Sequence, residues 1–325
     1  MRGLRPLHPL GATGKVNNKQ FDKPKFESRL NSYLIFSQYM RTAHLLCPQT
    51  LDRVGDIWYN RTKEKTGPVM VLSGGSMNPY LQNLSKIEFV ITNACTGRCK
   101  HCSEGDHTSC GESINPVVAA DAVRQVGAFY HLQTVMTFGG EPLLYPDAVC
   151  EIMTAAKELN IPRRQVITNG YFSKNTDTIR EVAQRLAACG VNDLLLSVDA
   201  FHQETIPVEV VKTFAREAQS AGIPLRLSPA WLVSPDHDNP YNRRTKEILS
   251  EFTSMNVPVG SGNVIFPEGN ARKYLAEYFT DEIPENPYVE DPADVRCLSF
   301  SPNGDVLDGN VYEQDVLEIL KNYAP

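Results

Sequence analysis

No apolar run in this 325-residue chain approaches the roughly 18 residues needed to span a bilayer, so no membrane partner is expected. A basic excess is lacking as well. Lys and Arg total 32 against 38 Asp and Glu, a net charge of −6, which leaves no electrostatic footprint for nucleic acid. The stretch Met1 to Lys25 has no apolar core of the kind a secretory signal carries. It is basic and polar, with Arg2, Arg5, Lys15, Lys19, Lys23 and Lys25, and is expected to be a disordered arm. A cytoplasmic location follows, with thiols kept reduced. Ser73-Gly74-Gly75-Ser76 has no following Lys-Ser/Thr, which excludes a phosphate loop. The eight cysteines are too unevenly clustered, in too long a chain, for a disulfide framework.

What is present is concentrated in one decapeptide, Asn93-Ala94-Cys95-Thr96-Gly97-Arg98-Cys99-Lys100-His101-Cys102. Its thiols are spaced C-x₃-C-x₂-C and can all reach one small metal centre. A structural zinc or an electron-transfer cluster usually has four protein ligands. Three thiolates leave one metal position open, as a catalytic centre requires. Cys110, eight residues on, offers the other reading, a closed four-thiolate site.

Around this loop the chain alternates strand-like and helical stretches. Lys86 to Thr92, Thr134 to Phe138, Gln165 to Thr168, Asp193 to Val198, Leu225 to Pro229 and Asn263 to Phe266 read as strands. Amphipathic stretches follow at Val117 to Tyr130, Asp147 to Leu159, Thr176 to Ala188, Val208 to Ala221 and Asn242 to Met255. Gly190 and Gly222 stand where helix C-caps are expected. Six units of this kind predict an α/β fold with a parallel sheet. That is fewer than the eight units of a closed barrel. Phe26 to Leu46 reads as a helix and Val69 to Leu72 as a short strand. Towards the end come a helical stretch at Ala271 to Phe279, a hairpin around Asn303-Gly304-Asp305 and a last helix, Glu313 to Tyr323.

The strand ends carry polar motifs. Thr137-Phe138-Gly139-Gly140-Glu141-Pro142 puts a glycine pair where backbone can approach a ligand. Ile167-Thr168-Asn169-Gly170 and Leu196-Ser197-Val198-Asp199-Ala200-Phe201-His202 end the next two strands. Buried polar residues there need partners. Arg226 sits among apolar residues and wants a carboxylate. Asn263-Val264-Ile265-Phe266-Pro267-Glu268-Gly269-Asn270-Ala271 ends the last strand.

In this order the motifs resemble the radical S-adenosylmethionine (radical SAM) superfamily over about residues 86 to 271. The resemblance implies a partial (β/α)₆ barrel, open on one side, between an N-terminal extension (1–84) and a C-terminal cap (272–325), with the core at 85–271. It implies that Cys95, Cys99 and Cys102 hold a [4Fe–4S] cluster whose open iron takes S-adenosyl-L-methionine (SAM). Gly139, Gly140 and Glu141 would bind the methionine ammonium. Asn169, Ser197 and Asp199 would serve the ribose and carboxylate, with Arg226 on the carboxylate or in a structural ion pair. Backbone groups of Val264 or Ile265 would meet the adenine edge. His101 stands where an aromatic residue is usual, and Asn270 where arginine is common. His202, Glu204 and Tyr171 lie just beyond strand ends as candidate acid, base or hydrogen donor.

The C-terminal run from Arg296 to Val306 resembles the start of a SPASM or twitch extension. It lacks the second cysteine after the Gly-Asp-Val turn, so no auxiliary cluster is expected at Cys297. Cys150 and Cys189 read as buried small hydrophobes. The implied partners are a peptide or small-molecule substrate and an external one-electron reductant such as flavodoxin or ferredoxin. Three functions remain open: modification of a peptide or protein, chemistry on a small molecule of natural-product or cofactor biosynthesis, and a cysteine-rich metal-binding scaffold.

Overall fold

Six strands with mostly apolar interiors build the sheet. The computed structural model describes residues 77–108, 111–279 and 286–325. The early helix and strand read at Phe26 to Leu46 and Val69 to Leu72, with Cys47 and Cys110, lie outside the described residues. Strands β1 (Lys86–Val90), β2 (Thr134–Phe138), β3 (Arg163–Thr168), β4 (Asp193–Ser197) and β5 (Leu225–Ser228) pair in sequence, all parallel. Every carboxyl end therefore points the same way, towards the cysteine loop that follows β1. Among the described residues no helix is long and apolar enough to cross a membrane.

The strand pattern explains the layering. In β1 the alternation puts Ile87 and Phe89, both fully buried, on the helix side and Lys86 and Glu88 on the other. Helices α1 (Pro116–Phe129), α2 (Pro146–Glu158) and α3 (Thr176–Ala188) follow β1, β2 and β3. A short α4 (Ala200–Gln203) and then α5 (Val208–Ser220) follow β4, and α6 (Pro240–Ser250) comes after the β5 region. Asparagine caps set the starts of α1 and α3: Asn115 Oδ1 accepts from Val117 N and Val118 N, and Asn175 Oδ1 from Asp177 N and Thr178 N. Gly190 and Gly222 take positive φ of 94° and 80° at the ends of α3 and α5, as their positions predict.

The expected sixth strand is the point of difference. Asn263 to Phe266 does not join the sheet. Its first two residues form β7 (Asn263–Val264), which pairs in parallel with β6 (Ala230–Trp231) as a separate two-stranded ribbon. The reason lies in the partner: Pro229 has no amide to donate, so the chain breaks between β5 and β6. Gly260 N still reaches Leu227 O at 2.8 Å, so the pairing resumes in two short pieces on either side of the break. The sixth strand of the sheet is instead β8 (Cys297–Phe300), parallel to the outer edge of β1, which gives the order β5-β4-β3-β2-β1-β8.

The segment read as a cap thus supplies part of the sheet. Beyond it, β9 (Asp305–Val306) and β10 (Gly309–Asn310) form the hairpin, α7 (Gly269–Tyr274) is shorter than the stretch read to Phe279, and α8 (Val316–Asn322) closes the chain. Cys189 is buried and Cys150 half-buried.

Phe300 is fully buried and stacks on Phe89, with ring centroids 4.7 Å apart and planes 20° apart. If β8 is integral to the sheet, Phe300→Ala should cost about 3–5 kcal/mol and keep a single cooperative urea transition. Two separated transitions would show that the C-terminal segment unfolds alone.

Candidate metal and cofactor site

Cys95, Cys99 and Cys102 sit on a loop that the sheet itself holds. Past the end of β1 the ladder to β2 continues: Ile91 N donates to Phe138 O, Gly140 N to Thr92 O and Glu141 N to Ala94 O, each at 2.8 Å. A Cβ on Gly139 would lie 2.5 Å from Thr92 O, and one on Gly140 would collide with the Ala94 carbonyl. The glycine pair therefore serves first to let β2 close against the cysteine loop.

Below the loop, Asn169 at the end of β3 donates from Nδ2 to Thr96 Oγ1 at 3.3 Å and lies 3.6 Å from Cys95 Sγ. From the other side, Asn270 at the start of α7 donates to Cys99 O at 3.3 Å and Gly105 O at 3.1 Å, and its own N–H bonds Cys102 O at 2.8 Å. Asn270 is a clamp on the metal loop that the sequence alone did not expose.

The thiols are shaped by burial. Cys95 and Cys99 are buried and Cys102 is half-buried. Burial pushes the Cys95 thiol up to about 11, helped by Glu141 and opposed by the Gly97 amide, whose N–H lies 3.3 Å from the sulfur. Cys99 and Cys102 are raised for the same reason, Cys99 additionally by Asp199. All three thiols favour the protonated form, so a metal would displace their protons. His107 stands beside Cys102, with Nε2 3.1 Å from Sγ and Nδ1 2.8 Å from Asn93 O. It is a neighbour of the third thiol that the motif reading missed, because nothing in the spacing marks it.

The remaining predicted residues divide. Glu141 is fully buried and spends its carboxylate on the chain: Oε1 accepts from Thr168 Oγ1 at 2.7 Å and Leu143 N at 2.9 Å, and Oε2 from Asn169 N at 2.8 Å. Burial raises it to about 7 against the pull of those donors. Asp199 is also fully buried. Its Oδ1 accepts from the amides of Phe201 and His202, and its Oδ2 meets Ala230 N at 3.0 Å and His202 Nδ1 at 2.8 Å. Burial alone would raise its pKa, but the His202 imidazole and these donors outweigh it and hold the carboxyl well below the usual range. Ser197 ends β4 level with Ser228 of β5.

Tyr171 lines a groove of about 370 Å³ beside Cys95, with Thr96, Arg98, Phe172 and Lys174. Glu204 is ion-paired with Lys100 at 3.0 Å on the surface.

Two expectations change. Arg226 does not reach the site. It forms a two-pronged ion pair with Asp193, the first residue of β4, at the opposite end of the strands. The ion-pair alternative is what the structure shows, because Arg226 shares a sheet face with Leu195 and its long side chain turns towards the amino end. The Ile265 amide is likewise committed, donating to Trp231 O at 2.9 Å, whereas Val264 is exposed.

Residues 89–228 match the model of the Radical SAM superfamily. The chain is 26% identical over 123 residues to the probable GTP 3′,8-cyclase of Methanocaldococcus jannaschii, covering 38% of this chain and 39% of that one. It is 22% identical over 231 residues to GTP 3′,8-cyclase of Bradyrhizobium diazoefficiens, 66% of each. The chain thus spans about two-fifths of one curated relative and just under two-thirds of the other. Among solved structures, native anSMEcpe with bound AdoMet aligns with a TM-score of 0.49 at 13% identity, over 74% of this chain and 80% of that one. The cofactors of a radical SAM core are a [4Fe–4S] cluster and SAM.

The residues present fit that pair. The donors are three soft thiols on one loop. A Cβ on Gly97 would lie 3.2 Å from Cys99 Sγ and 3.7 Å from Cys95 Sγ, so the glycine keeps the space between two of them clear.

The site also sets a pH dependence. Burial, with His202 adding to it, lowers the His101 imidazole from 6.5 to about 4. The folded chain favours the neutral ring, so this stability is fully present above pH 6.5 and is lost as pH falls through about 4. The shift is worth up to about 3 kcal/mol. Urea midpoints of the metal-free protein between pH 7.5 and 4 should therefore fall less steeply in His101→Phe than in the wild type. Equal slopes would contradict the buried neutral imidazole.

Proposed function

We propose that the chain is a radical SAM enzyme in which Cys95, Cys99 and Cys102 hold the [4Fe–4S] cluster. The observation that supports this most is the joint placement of a three-thiol loop and the Gly139-Gly140-Glu141 turn at the carboxyl end of a parallel sheet. When bound, the cluster and SAM together supply a 5′-deoxyadenosyl radical on one-electron reduction, and that radical abstracts hydrogen from an unreactive C–H bond.

The chain's own residues bind and orient. Asn169 and Asn270 fix the loop from two sides. The Gly139-Gly140 turn and the remaining acceptor capacity of Glu141 would hold the methionine ammonium of SAM. Asp199 and Ser197 line the end of β4, where sugar hydroxyls need partners. Asp199 also holds His202 by Nδ1, so that imidazole is the best-oriented candidate acid–base group of the three first named. Tyr171, in the groove beside Cys95, is a hydrogen donor in reach of that opening, and Glu204 is paired to Lys100 on the surface. An external one-electron reductant, of the flavodoxin or ferredoxin kind, would complete the cycle.

For the substrate, the β5 edge of the sheet gives way to the short β6–β7 ribbon, whose β7 residues are exposed, which suits a peptide or protein segment. The motif style of the sequence points the same way. The second reading is a small molecule, favoured by the two relatives named for GTP 3′,8-cyclase.

Anaerobically reconstituted protein should carry about four irons and release 5′-deoxyadenosine when reduced with SAM. Any single Cys→Ala change at positions 95, 99 or 102 should abolish that release. Retention of full cluster and activity in all three would overturn the assignment. Glu141→Ala should keep the iron and weaken SAM binding about ten- to a hundredfold, as read from the cluster's EPR response. It should also lower the melting temperature, because it orphans three buried donors. A stable variant with unchanged SAM affinity would contradict both roles.

A further inference from the structure

Cys99, His101 and His202 converge in a group whose two histidines the cluster reading does not use as ligands. The Cys99 sulfur and one ring nitrogen of each histidine lie within 4.8 Å of one another. The two imidazoles arrive from different elements, the cysteine loop and the start of α4, with ring centroids 4.7 Å apart. His101 is half-buried, but its Nδ1 is enclosed and has no hydrogen-bond partner. A buried nitrogen without a partner is costly and calls for an occupant.

His202 is prepared in a complementary way. Its Nδ1 lies 2.8 Å from Asp199 Oδ2, and a carboxylate only accepts, so Nδ1 is the donor in that contact. Asp199 is itself immobilised by three backbone amides. A carboxylate holding one nitrogen of an imidazole is the usual outer support of a histidine that binds metal through the other.

We propose that, before a cluster is installed, Cys99, His101 and His202 bind one divalent transition-metal ion of the zinc or ferrous kind, with Asp199 supporting His202. One sulfur and two imidazole nitrogens suit such an ion and leave a fourth position for water. On binding, the Cys99 S–H bond is exchanged for a sulfur–metal bond and the proton leaves to solvent, with no change of oxidation state. Cys99 belongs to both ligand sets, so a single ion and the cubane compete for it. The inference uses the cysteine loop but does not depend on SAM chemistry.

The probe is cobalt(II), titrated into anaerobic, cluster-free full-length protein. One equivalent should bind with a thiolate-to-cobalt charge-transfer band and tetrahedral visible bands. His202→Ala and His101→Phe should each weaken binding at least about tenfold, and Asp199→Asn by about tenfold. Cys99→Ala should remove the charge-transfer band. X-ray absorption of the cobalt-loaded wild type should show a mixed nitrogen and sulfur shell. An all-sulfur shell, or affinity unchanged in both histidine variants, would overturn the proposal.

Both histidine variants should still take up about four irons on reconstitution. Zinc preloading should slow that reconstitution in the wild type and not in His202→Ala. Equal slowing in both would count against the site. Cobalt binding as described in a protein that never forms a cluster would refute the radical SAM reading and leave this one standing.

Discussion

Two backbone hydrogen bonds carry the site. Gly140 N to Thr92 O and Glu141 N to Ala94 O extend the β1–β2 ladder past the ends of both strands and bind the cysteine loop to the sheet. A side chain at position 139 or 140 would break them, since the Thr92 and Ala94 carbonyls occupy the space a Cβ would need. The same ladder then positions the rest. Glu141 reaches across to Thr168 and Asn169 on β3, and Asn169 returns to Thr96 and Cys95. The loop, the glycine turn and the Thr-Asn-Gly strand end are one hydrogen-bonded unit.

Burial governs what that unit does without metal. Enclosure raises Cys95, Cys99 and Cys102, lowers His101 and raises Glu141. Each of these groups favours its neutral form. The three thiols would thus exchange protons for metal, which ties metal uptake to pH. Asp199 is the exception: a ring of donors and the neighbouring imidazole keep it ionised in full burial, where it sets the orientation of His202.

Much of this was legible in the sequence because it is written in residue types with few alternatives. Cysteine spacing, a glycine pair after a strand and asparagine or aspartate at strand ends all mark the carboxyl edge of the sheet. The parallel α/β plan followed from the alternation of strand and helix. What escaped depends on contacts between distant segments. Pro229 split the pairing that would have carried a sixth strand, and β8, far along the chain, took the vacant edge beside β1. Arg226 read as a site residue because its neighbours are apolar; strand direction sent it to Asp193 instead. Asn270 and His107 touch the cysteine loop through carbonyl and thiol contacts that no local pattern announces. The meeting of His101 with His202 spans a hundred residues and two strand ends.

The central claim is that this loop offers exactly three thiolates and an open iron to SAM. Electron–nuclear double resonance on the reduced, reconstituted protein with SAM labelled by ¹⁵N in its amino group tests it directly. The account predicts a ¹⁵N hyperfine coupling to the cluster that is absent without the labelled cofactor and lost in Cys102→Ala. A cluster of normal iron content that shows no such coupling, and that loses iron in Cys110→Ala, would instead be a closed four-thiolate centre.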